Sequence, residues 1–166
     1  PPPPPPPTPL LHAAKHGYAA ITRALLAAGA DLEAAFQGWP ALVWAPGHGR
    51  DLETVRALLD AGANSNVRGR SAASPLQLAA YLGPTEAVEL LLARGADPNL
   101  PDERGQTPLM LAAEHARHDV IRLLVDAGAD LNAQDEDGRS VLAHADYWAD
   151  YAGTADLLIT LGANEE

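Results

Sequence analysis

Apolar positions along the chain fall in short blocks of Leu and Ala, broken at even intervals by Gly, Pro and Asp or Asn. The blocks come in two kinds. One is a Leu followed by an Ala pair, as in Leu10 with Ala13-Ala14, Leu76 with Ala79-Ala80 and Leu109 with Ala112-Ala113. The other is denser, as in Val88, Leu90, Leu91 and Leu92. Together they predict two short helices per unit, the first with a small-residue face that lets a neighbouring helix come close. Thr8-Pro9-Leu10, Ser74-Pro75-Leu76, Thr107-Pro108-Leu109 and the degenerate Ser140-Val141-Leu142 mark the start of the first helix. There the hydroxyl caps the helix, and Pro occupies a first turn that needs no backbone N–H. Gly17 or Gly83 ends it. The second helix closes on Gly-Ala-Asp or Gly-Ala-Asn at Gly29, Gly62, Gly95, Gly128 and Gly162. Gly tolerates the left-handed C-terminal position best, and Asp or Asn suits the turn beyond it.

The first four of these glycines are 33 residues apart and the last step is 34. Two marks sharing one phase identify an internal repeat. The unit resembles the ankyrin repeat, whose signature is Thr-Pro-Leu-His-x-Ala-Ala, a second helix and Gly-Ala-Asp; the resemblance covers roughly residues 8–164. It implies an all-α solenoid of five helix-turn-helix repeats with projecting hairpin fingers, at about 8–34, 35–67, 68–100, 101–133 and 134–166. Residues 1–7 read as a polyproline tail or linker outside it.

Composition narrows the function. With 47% apolar and 20% charged residues the chain is expected to fold, and its sparse aromatics suit closely packed helices. A formal charge of -11 argues against nucleic acid and anionic membrane surfaces, which select clustered Lys and Arg. It favours a protein partner with a basic patch. There is no Cys, which excludes disulfides and thiolate chemistry. No apolar run reaches the roughly 18 residues that span a bilayer. The chain opens on proline without an initiator Met and shows no signal peptide, as expected of a processed or trimmed product. Lys15 stands alone beside ten Arg, and with abundant Ala this points to a GC-rich, bacterial genome. The expected compartment is the cytoplasm, or the periplasm or exterior if a signal peptide was removed.

In ankyrin proteins the partner is read by hairpin tips and by the two variable positions before the first-helix Gly. Carried onto this chain, the variable pairs are Lys15-His16, Gly47-His48, Tyr81-Leu82, Glu114-His115 and Tyr147-Trp148. The tips supply Phe36, Gln37 and Trp39; Arg70 and Ser71; Glu103, Arg104 and Gln106; and Glu136, Asp137 and Arg139. Five of the eight aromatics fall in this set, and Tyr and Trp dominate binding hot spots. Asp102-Glu103 and Asp135-Glu136-Asp137 make the last two fingers acidic. The stretch Phe36–Asp51 is a degenerate second repeat. Trp39-Pro40-Ala41-Leu42 stands for x-Thr-Pro-Leu, Ala45-Pro46 for Ala-Ala, and one extra residue precedes the second helix. Pro46 predicts a short or distorted first helix there, with Trp44 filling the core.

Little else suggests chemistry. His16, His48 and His115 recur at equivalent positions, but stacked repeats hold them too far apart for one zinc ion. His144 replaces a usual Leu and reads as a satisfied inward His, although Asp146 and Asp150 follow it. Asn66, Asn99 and Asn132 match turn positions that oxygenases modify in some animal ankyrin proteins, and a structural role is expected of them here. No phosphate-binding loop, nucleophile motif, metal or cofactor site is evident. The expectation is a monomeric, non-catalytic protein-binding module. The narrower alternatives are a bacterial inhibitor or immunity protein that masks a basic toxin or enzyme, and a spacer domain of a larger protein.

Overall fold

A computed structural model describes residues 7–49, 51–145 and 151–164, apart from the side chains of residues 48, 49, 151 and 152. Its helices come in pairs: α1 Pro9–His16 with α2 Ala19–Ala27, α3 Ala41–Trp44 with α4 Leu52–Asp60, and α5 Pro75–Leu82 with α6 Thr85–Ala93. α7 Pro108–Glu114 with α8 His118–Asp126, and α9 Val141–Ala145 with α10 Tyr151–Leu161, complete the stack. The first members pack on one another in an inner row, α1–α3–α5–α7–α9, and the second members in an outer row, α2–α4–α6–α8–α10. The architecture is the expected all-α solenoid.

Local signals act where the sequence places them. The hydroxyls of Thr8, Ser74, Thr107 and Ser140 accept from the backbone N–H of Leu11, Gln77, Met110 and Ala143. Ser74 and Gln77 cap each other, and the Gln77 amide also donates to the Gln106 carbonyl at 2.7 Å, tying α5 to the next finger. All five closing glycines have positive φ, from 82° at Gly95 to 112° at Gly162. In each case the Gly N–H and the following Ala N–H reach back into the last turn, as in Gly128 to Val125 and Ala129 to Leu124, both 2.9 Å.

One repeat buries little alone, so the core is a set of ladders. Leu10, Leu42, Leu76 and Leu109 form the inner one, each 2% exposed or less. Leu58, Leu91, Leu124 and Leu158 form the outer one, each at 0%. Leu25, at the same place in the first repeat, is only half-buried, because it lies at the end of the stack. Gly83 is needed for space rather than for φ: a Cβ there would lie 2.8 Å from both Ala79 Cα and the Pro46 carbonyl oxygen. Ala79, Ala80 and Gly83 leave carbonyls at the end of α5 that Arg117 fills, at 2.5, 2.9 and 2.6 Å. Burial lowers the Arg117 pKa from its ordinary value, and the three acceptors hold the guanidinium in place.

Asn side chains cross from one repeat to the next. Asn66 donates to the Gly95 carbonyl at 3.0 Å and accepts from Asp97 N–H at 2.7 Å. Asn99 does the same to Gly128 and Asp130 at 3.0 and 2.7 Å, and Asn132 accepts from Asn164 N–H at 3.0 Å. This is the structural role expected of them. The first repeat carries Glu33 in that slot. Among the described residues its side chain bonds nothing in the second repeat, and the exposed Arg23–Glu53 pair is the polar tie there.

The second repeat is distorted as Pro46 foretold. Its first helix stops after Trp44, and Ala45–Gly49 form a π-turn that absorbs the extra residue.

Asn99→Ala is expected to cost about 1–2 kcal/mol in urea unfolding, because it removes both partners of a two-bond clamp. Glu33→Asn should do the reverse at the first interface and gain about 0.5–1 kcal/mol. Ala116 stands where the first three repeats have Gly17, Gly49 and Gly83, and has φ 50°. Ala116→Gly should therefore raise stability by about 0.5–1 kcal/mol in the same measurement, with no change in helix content.

Candidate partner-binding surface

The fingers decide which tip residues are free. In the first, β1 Ala35–Phe36 pairs antiparallel with β2 Trp39–Pro40, and the turn residues Gln37 and Gly38 both have positive φ, 52° and 80°. Trp39 is half-buried. A Cβ added to Gly69 in the next finger would lie 3.0 Å from its ring, and Trp44 lies 5.3 Å away, centre to centre. Trp39 thus spends much of its surface joining fingers. Phe36 is half-buried against the core, while Gln37, Arg70 and Ser71 are exposed. Later fingers join through backbone: Glu103 N–H donates to the Ser71 carbonyl at 3.0 Å and Glu136 N–H to the Arg104 carbonyl at 2.9 Å.

The acidic runs divide in two. Asp102 turns inward, and its Oδ1 accepts from Arg104 and Gln106 N–H at 2.8 and 2.9 Å. Asp135 is buried and accepts from Asp137 and Arg139 N–H, the Arg139 guanidinium, and His144 Nε2 at 3.0 Å. Burial alone would raise the Asp135 pKa, but the hydrogen bonds from Arg139 and His144 and the Arg139 charge together hold it below the usual carboxylate value. His144 is the satisfied inward residue expected, with Glu114 3.8 Å from its other nitrogen. Glu103, Arg104, Glu136, Asp137 and Arg139 remain exposed at the tips.

On the inner row two neighbouring large side chains, Tyr81 and Leu82, are 37% and 48% exposed. Tyr81 meets His115 edge-on at 4.3 Å, joining the third and fourth repeats, and Glu114 is half-buried beside it. The His48 side chain, Tyr147 and Trp148 lie outside the described residues, as do Asp146 and Asp150. Among the described residues no three His, Asp or Glu side chains are grouped to hold a metal ion, and no helix is long and apolar enough to cross a membrane.

The sequence reading missed part of this surface. Trp44 does not fill the core. It is half-buried, and it lines a cleft of about 330 Å³ with Pro7, Leu11, His12, Lys15, His16, Phe36 and Gln37, under the Lys15 ammonium at 4.9 Å from its ring centre. The signal was its register. His12, Trp44, Leu78 and Leu111 all stand at the unspecified place of Thr-Pro-Leu-His-x-Ala-Ala, and none of them is fully buried; His144, at that place in the fifth repeat, is buried on Asp135.

Asp135→Asn should cost about 2–4 kcal/mol at pH 7, because it leaves buried donors poorly matched. The native-state pKa is depressed, so the carboxylate's contribution is full above its unfolded value near 4 and is lost as pH falls through the folded one. Urea midpoints of wild type and variant should therefore converge below about pH 4.

A search of curated proteins finds no significant match. The family model for ankyrin repeats (3 copies) matches residues 4–69 and 76–165, nearly the whole chain. Phased caps, closing glycines, Asn clamps and family match agree: the chain belongs to the ankyrin repeat family, whose members are generally protein–protein interaction modules.

Proposed function

We propose that the chain is a non-catalytic module that binds one partner protein along its inner helix row and finger tips. The observation that carries this reading is the exposure of Tyr81 and Leu82, large side chains held on a rigid face that the fold does not need to cover. Phe36, Gln37, His48, Arg70, Glu114, His115, Tyr147 and Trp148 extend the same surface by their places in the repeat. Trp39 contributes what its packing against Gly69 leaves open. Glu103, Glu136 and Asp137 outnumber Arg104 and Arg139 at the last two tips, which suits a basic patch on the partner. The same charge supports the narrower reading of an inhibitor that masks a basic protein.

Capture from an extract of the source organism, identified by mass spectrometry, tests this reading. Tyr81→Ala/Leu82→Ala should weaken the complex by about 30-fold or more, the loss expected of a hot spot. Glu103→Lys/Glu136→Lys should slow association and reduce its salt dependence. If the first variant melts like wild type and captures the same partner equally well, the inner row is not the interface.

A further inference from the structure

The acidity of the chain is unevenly distributed. Residues 1–50 hold three Lys or Arg against two Asp or Glu, whereas residues 51–166 hold eight against twenty. The cleft between the first two inner helices sits in the part that is not acidic. Among the described residues its lining contains Lys15, His12 and His16 and no carboxylate. His12 and His16 lie 4.5 Å apart, centre to centre, and Tyr18 stacks on His16 at 5.7 Å. Leu11, Phe36 and Trp44 supply an apolar floor. Among the described residues Lys15 forms no ion pair, and its ammonium lies over the Trp44 ring, above that floor.

We propose that this cleft binds an acidic peptide segment of the partner that carries an aromatic side chain next to a carboxylate. The aromatic ring enters between Phe36, Trp44 and Leu11. The carboxylate pairs with Lys15 and accepts from imidazole N–H groups of His12 and His16, which have a donor in either protonation state. One lysine is too little for a phosphate backbone, and its apolar floor fits a side chain better than a free anion. The cleft lies in line with Leu78 and Leu111 on the inner row, so a chain leaving it continues along the groove. The inference rests on the partner-binding reading above and gives that groove a polarity: acid is taken at the N-terminal end and base at the C-terminal fingers.

The probe is a capped pentapeptide, acetyl-Gly-Glu-Phe-Glu-Gly-amide, titrated to about 5 mM into the ¹⁵N-labelled chain, enough to detect a millimolar complex. Amide shifts should concentrate at residues 11–16 and 36–44. The Lys-Phe-Lys counterpart should bind about three- to tenfold more weakly, and Lys15→Glu should abolish that preference. A Lys15→Met variant, which keeps the stem over Trp44, should lose the preference while melting like wild type, which separates charge from folding. Equal binding of both peptides, shifts centred elsewhere, or no shift at all would overturn the proposal. So would N-acetyl-phenylalanine binding as well as the peptide, which marks a small-molecule pocket. If any of these occurs while Tyr81→Ala/Leu82→Ala still loses the native partner, this inference fails and the partner-binding reading stands.

Discussion

Everything in this molecule depends on the inability of one helix pair to bury its own apolar face. Leu58, Leu91 and Leu124 are sealed from water because each lies between neighbours one repeat apart. Stability is then a sum over interfaces, and each interface needs a register. Leu and Ala contacts are non-directional and would tolerate sliding. Asn66 and Asn99 remove that freedom, since each donates to and accepts from fixed backbone atoms of the next repeat. Gln77 in α5 and Arg117 just before α8 add further fixed points. Apolar burial drives the stack and polar side chains set its pitch.

The same division explains what was legible from the sequence. Local devices could be read residue by residue, because their chemistry is confined to a few positions. Thr8, Ser74 and Thr107 cap, the recurring Gly adopts positive φ, and Pro46 cuts its helix short. Long-range matches were harder. Nothing near Arg117 in sequence announces three carbonyl acceptors more than thirty residues away. Asp135 looks like surface acid beside Glu136 and Asp137, yet it is buried by Arg139 and His144. Trp44 was assigned to the core on hydrophobicity alone, while its register put it in the inner-row position that also holds exposed His12. Type of residue misled there.

The two ends of the stack are built differently. From the second repeat onward, Asn bonds cross each interface. At the first, Glu33 makes no such bond, the facing inner helix is a single turn followed by a π-turn, and an exposed ion pair does little to compensate. Aromatic packing takes over the task, with Trp44 under Lys15. That substitution has a consequence. Asn clamps are compact and leave the inner row clear, whereas Trp44, Phe36 and Lys15 join the repeats by standing on that row, with a cleft among them.

Rigidity is what lets exposed groups act as a recognition surface. Binding costs side-chain and loop ordering, and a preformed face avoids much of that cost. Tyr81 is held by His115, the later fingers are joined backbone to backbone, and Lys15 is restrained over Trp44. A partner meeting this face therefore meets side chains whose places are already determined by the stack. The irregular second repeat is the exception that carries most information. Its first helix is the shortest among the described residues, and the aromatic residues beside it are the ones that give the groove a distinct end.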